Sequence, residues 1–123
     1  MKRLPRISDT EWTVMKVLWA TSPLTAGQVV KALSTGTAWM PRTIKTFLGR
    51  LVRKGAIGFS AEGRTYSYFP LVSEADCVRS ENESFLNRVH GGELSRLLAS
   101  FVEARTLSPK EKEDLRRILD GRK

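Results

Sequence analysis

The 123-residue sequence contains one cysteine, Cys77, and one histidine, His90. A lone cysteine forms no internal disulfide, and one Cys with one His falls short of the four ligands of a structural zinc site. Neither a metal nor any other cofactor is expected. Nowhere do 18 apolar residues run in succession, and the basic start at Lys2, Arg3 and Arg6 has no apolar stretch behind it. Membrane insertion and secretion are therefore not expected, and the expected compartment is the cytoplasm. Gly-rich phosphate loops and G-x-S-x-G elbows are missing as well. The carboxylates of the second half are interspersed with bases, as on solvated helix surfaces, so an enzyme is not expected.

Acidic side chains are also scarce in one part of the chain. The first 72 residues hold 11 Lys and Arg against Asp9, Glu11 and Glu62, whereas the remaining 51 hold ten of each sign. The whole net charge of +8 thus belongs to the first part. Such asymmetry points to one segment that meets a polyanion and another that does something else. With 41% hydrophobic and 28% charged residues the chain has the composition of a folded protein.

Ser8 and Glu11 form a capping-box pattern, with Ile7 and Trp12 spaced as a hydrophobic staple. A helix follows to about Ala20, with Trp12, Met15, Leu18 and Trp19 on a core-facing stripe. Thr25 caps a second helix through Val29, Val30 and Leu33, broken by Gly36. Pro41 opens a third, which runs to Lys54 and stops at Gly55. On this helix Ile44, Phe47, Leu48 and Leu51 share one face, while Arg42, Lys45, Thr46, Gly49, Arg50 and Arg53 share the other. Two β-prone runs, 57–59 and 65–69, flank an expected turn over Ala61 to Arg64. Tyr66 and Tyr68 fall on one strand face and are expected to pack against the core. Three helices and a hairpin in this order predict a winged helix-turn-helix domain over residues 1–72.

Residues 73–123 read as three amphipathic helices. The first starts near Ser73 and carries Cys77, expected to be a packing residue, then Phe85, Leu86 and Val89, up to a break at Gly91 and Gly92 with His90 in the turn. Leu94, Leu97, Leu98, Phe101 and Val102 form the stripe of the second. Ser108 and Glu111 box the start of the third, which carries Leu115, Ile118 and Leu119. Short helices need an apolar partner surface. A second copy of the chain is the economical one, and folding back onto residues 1–72 is the alternative. The expected architecture is mainly α with a small β-hairpin: a winged helix-turn-helix DNA-binding domain followed by a three-helix dimerisation domain.

In helix-turn-helix proteins the amino-terminal half of the third helix enters the major groove. There Arg42 and Lys45 suit guanine edges, and the methyl groups of Thr43 and Thr46 suit thymine. Arg53, Lys54 and the hairpin base Arg64 are placed for phosphates. A different reading of the same basic face is a winged-helix interaction module that docks an acidic protein.

The stretches Ile7-Ser-Asp-Thr-Glu-Trp-Thr-Val-Met-Lys-Val-Leu-Trp19, Pro41-Arg-Thr-Ile-Lys-Thr46, Arg50-Leu-Val-Arg-Lys-Gly55, Tyr66 to Val72 and Phe101-Val-Glu103 resemble the BlaI/MecI/CopY penicillinase-repressor family of bacterial regulators. That resemblance implies a cytoplasmic homodimeric repressor on a palindromic double-stranded DNA operator, with Arg42, Thr43, Lys45, Thr46 and Arg50 in the operator-contacting role. It further implies a pathway with a membrane metallopeptidase sensor, in which the dimer is disabled by cleavage of an Asn-Phe bond. The matching bond here is Ser100–Phe101, a departure that weighs against proteolytic induction. The paired Cys-x-Cys motifs of copper-responsive members are absent, which excludes copper sensing by that route. Met40 replaces the usual Ser before the helix proline and supplies no cap oxygen.

Overall fold

The computed structural model describes residues 4–121, so Lys2 and Arg3 of the basic excess lie outside the described residues. The elements run α1 (Asp9–Ala20), β1 (Leu24–Thr25), α2 (Ala26–Leu33), α3 (Pro41–Lys54), β2 (Ile57–Glu62), β3 (Thr65–Pro70), α4 (Glu74–His90), α5 (Leu94–Ala104) and α6 (Pro109–Asp120). Two compact units divide after Ser80, inside α4. The physical reason is Cys77: it lies one turn into α4 and is buried in the core of the first unit.

That core is built from three helices and a sheet. Val14, Met15 and Leu18 of α1, Val29 and Leu33 of α2, and Ile44, Phe47, Leu48 and Leu51 of α3 are buried together, with Ala56 and Ile57 closing one side. Each such side chain stabilises the fold by about 1.5–3 kcal/mol relative to leaving it in water. The helix starts are where the cap residues place them. Ser8 and Glu11 exchange both bonds of a capping box, and Thr25 forms a second box with Gln28. Trp19 of α1 donates its indole N–H to the Val72 carbonyl at 2.9 Å, tying the end of the sheet region back to the first helix.

The sheet is antiparallel with order β1-β3-β2, so the two-residue β1 adds a third strand to the hairpin. Ala61 pairs with Tyr66 and Glu62 with Thr65, which corrects the expected four-residue tip to a two-residue turn over Gly63 and Arg64. Gly63, at φ 63°, supplies the left-handed conformation that a tight primed turn requires at its first central position.

The second unit contains the rest of α4, then α5 and α6. Gly91 and Gly92, both left-handed, end α4, and the Gly92 amide reaches back to the Leu86 carbonyl. His90 is the last residue of α4 rather than part of the turn, its ring edge-on to Phe85 at 5.5 Å. Ser108 and Glu111 form a capping box at the start of α6, and Arg105 bridges to Glu111 at 2.6 Å. Neither α5 nor α6 has a buried residue. A cleft of about 360 Å³ opens among Leu98, Phe101, Val102, Leu107 and Leu115. No helix among the described residues is long and apolar enough to cross a membrane.

One charged side chain lies in the core of the first unit. Glu11 is 1% exposed, and its carboxylate accepts from the Ser8 amide and from the Lys54 ammonium. Burial pushes the Glu11 pKa up, but the hydrogen bonds from Lys54 and Ser8 and the Lys54 charge outweigh it and hold the carboxyl below its ordinary value. The resulting stabilisation is complete above the ordinary carboxylate range and is lost as pH falls through the lowered value. Lys54→Ala, which strands the buried carboxylate, is expected to cost about 2 kcal/mol at pH 7, less than for a fully enclosed pair because Lys54 is partly exposed. In urea unfolding the gap between variant and parent should narrow as pH falls below the ordinary carboxylate range; a gap that stays constant with pH would remove the pair as its cause.

Candidate nucleic-acid interface

The interface begins with the two faces of α3. Ile44, Phe47, Leu48 and Leu51 are buried, as their spacing predicts, so the helix turns its other side to solvent. On that side Arg42, Lys45, Thr46 and Arg53 come together around a shallow depression whose floor is Gly49. A Cβ at Gly49 would meet nothing closer than an Arg53 guanidinium nitrogen at 3.8 Å. The chain thus has room for a side chain at Gly49, and no neighbouring atom requires a glycine there. Thr46 donates its hydroxyl to the Arg42 carbonyl at 3.0 Å, which satisfies the polar group and leaves its methyl as the free end.

The other candidates are distributed around this depression. Thr43 is half-buried on the helix flank. Arg50 is exposed, but its guanidinium lies over the Phe47 ring at 5.8 Å and does not line the depression. Lys54 belongs to a different place altogether. Its ammonium binds the Arg6 carbonyl at 2.8 Å and the Glu11 carboxylate, so its charge is spent inside the fold and not offered with the others.

Arg64 stands at the tip of the hairpin, where it shares a second notch with Thr25, Ala26, Gly27, Thr65, Tyr66 and Tyr68. Tyr68 packs against the core, as expected, but Tyr66 is 47% exposed, its ring 4.8 Å from that of the exposed Phe59. β2 runs three residues beyond its β-prone stretch, to Glu62, and Tyr66 pairs there with Ala61, beyond the end of the core. Sequence periodicity did not single out Phe59, although its Cα pairing with Tyr68 follows once the register is fixed.

These elements suit a duplex. A convex helix bearing bases and a free methyl fits the major groove, and a basic hairpin tip fits the backbone beside it. Among the described residues no three His, Cys, Asp or Glu side chains gather as a metal site.

Comparison with known proteins places the chain in context. The penicillinase repressor family matches residues 7–121. A penicillinase repressor from Bacillus licheniformis is 42% identical over 123 residues, which covers all of this chain and 96% of that protein. The methicillin resistance regulatory protein MecI of Staphylococcus aureus is 34% identical over 114 residues, 93% of each chain. Among solved structures, the monomeric form of Bacillus licheniformis BlaI in complex with the blaP half-operator is 46% identical, with a TM-score of 0.54, over 62% of this chain and 93% of that one.

For a hairpin-tip base that meets only phosphate, Arg64→Ala should weaken binding to every duplex by the same factor. It should also lower the slope of log affinity against log salt by about 0.9. Fluorescence anisotropy across a salt series checks both, and a loss confined to one sequence would give Arg64 a base-reading part instead.

Proposed function

The chain belongs to the penicillinase repressor family, and on that premise we propose that it is a DNA-binding transcriptional repressor that acts in the cytoplasm as a homodimer on a near-palindromic operator. Residues 1–72 take the DNA and residues 73–123 take the second copy. The observation that carries the reading is α3: one face is wholly committed to the core, and the other gathers Arg42, Lys45, Thr46 and Arg53 over a glycine floor. Charge alone would attract any polyanion. The threonine methyl and the fixed helix axis add a means of choosing a sequence.

Pairing is supported by what the second unit leaves uncovered. Leu94, Leu98, Phe101 and Val102 of α5 and Leu115, Ile118 and Leu119 of α6 are exposed, together with Phe85 and Val89 of α4. Leu86 and Leu97, from the same apolar stripes, are half-buried. So many exposed apolar side chains are ordinarily covered in stable proteins, and a symmetric copy covers both sets at once. Two α3 helices then enter successive major grooves with centres about 34–36 Å apart. Phe101 is 53% exposed and Ser100 is exposed, so in the single chain the Ser100–Phe101 bond lies on the face assigned here to pairing.

Selection of binding sites from random duplexes tests the DNA reading: an enriched, near-palindromic motif is expected, and its absence would favour docking of an acidic protein by the same face. On that motif Lys45→Ala should abolish most of the preference over random DNA, a loss of about 1–3 kcal/mol of discrimination. Leu98→Asp should halve the mass seen by light scattering, because a carboxylate would enter the apolar seam. An unchanged mass would place the pairing surface elsewhere.

A further inference from the structure

The first unit leaves several large apolar side chains in water, and one of them stands at the entrance to the basic helix. Met40, immediately before α3, is 68% exposed, the highest value for any large apolar residue among those described. It occupies the N-cap position and makes no side-chain capping bond. Its carbonyl accepts from the Thr43 amide at 2.9 Å and the Ile44 amide at 3.2 Å, so its backbone is fixed to the first turn of the helix. A Ser, Thr, Asp or Asn side chain at this position would also satisfy an amide of that turn. Methionine gives up that stabilisation and presents apolar surface to water instead.

The direction of the side chain follows from its neighbour. Trp39 packs edge-on against Phe47 with centroids 5.1 Å apart, anchoring the residue before Met40 in the core. The backbone at Met40 is extended, with φ −74° and ψ 151°, and in extended chain successive side chains point to opposite sides. With Trp39 turned in, Met40 is turned out, at the tip of the helix end that leads into the groove.

We propose that Met40 is a specificity-determining residue whose thioether chain makes an apolar contact with a thymine C5-methyl group in the major groove. The inference rests on the operator reading above and adds a base preference to it. An unbranched, polarisable side chain adapts to the rim of a base, and it offers neither hydrogen bonds nor charge to a phosphate. Among base edges in the major groove, only thymine presents a methyl group.

The experiment starts from the duplex that the parent protein enriches out of a random pool. Deoxyuridine, which lacks only the C5-methyl, replaces each thymine in turn, and affinity is measured for the parent, Met40→Ser and Met40→Leu. The parent should lose about fourfold at one position in each half-site, the value of one buried methyl-sized group. Met40→Ser should show no loss there, and Met40→Leu should keep it. Serine restores a cap oxygen, so Met40→Ser is expected to melt no lower than the parent, which separates a change in reading from a change in folding. A deoxyuridine penalty that stays in Met40→Ser, or one that is absent from the parent, overturns the assignment. If the parent enriches no motif at all, the operator reading fails first and this contact with it.

Discussion

A buried carboxylate holds the first unit in register. Glu11 belongs to the first turn of α1 and Lys54 to the last residue of α3, and the pair joins the two ends within the core. Glu11 is tied on both sides, since Ser8 supplies an amide to its carboxylate and a hydroxyl to its backbone N–H. A buried charge is tolerated only when its partners are in place, so the geometry of both helices is specified more narrowly than apolar packing alone would specify it. Just beyond Lys54, Gly55 adopts φ 83°, and the Ala56 amide donates back to the Leu51 carbonyl. The chain then enters β2 with Ala56 and Ile57 buried. The exit from α3 and the start of the hairpin are thus fixed by the same few residues.

From that constraint the division of the surface follows. In α3, the side that meets α1 and the sheet takes all the buried apolar residues, and beyond Pro41 the exposed residues are basic or hydroxylated. The second unit handles its apolar residues in the opposite way. α6 has a capping box and both α5 and α6 have good amphipathic spacing, yet neither buries a residue on its own. One unit is complete as a single chain and the other is not, which is the physical basis for assigning them different partners.

Much of this was legible in the sequence because it is local. Capping boxes lie within four residues, so the starts of α1 and α6 could be read directly, and a period of 3.6 placed Ile44, Phe47, Leu48 and Leu51 inside. Lys54 was not legible. It lies in a run of bases that reads as a phosphate face, and the carboxylate that claims it is 43 residues away in sequence. The end of the hairpin was missed for a related reason. Ala61 and Glu62 are weak strand formers, but the pairing of β2 with β3 continues through them until a glycine permits the turn. Tyr66 then stands outside a core that its alternation with Tyr68 had suggested it would join. The stacking of Arg50 on Phe47 has no sequence signature beyond a spacing of three.

Gly49 lies in the middle of a helix where alanine would be worth about 1 kcal/mol more, and the chain around it leaves room for that methyl. The fold is therefore weaker at this point than its own packing demands. Seen from outside, the glycine lowers the ridge of α3 by one side chain in the centre of its basic face. A rigid, deeply grooved partner can approach the helix backbone there more closely than anywhere else on that side. A lowered centre with charge at its rim suits a partner that comes close to the helix axis, and alanine's extra stability is forgone at that point.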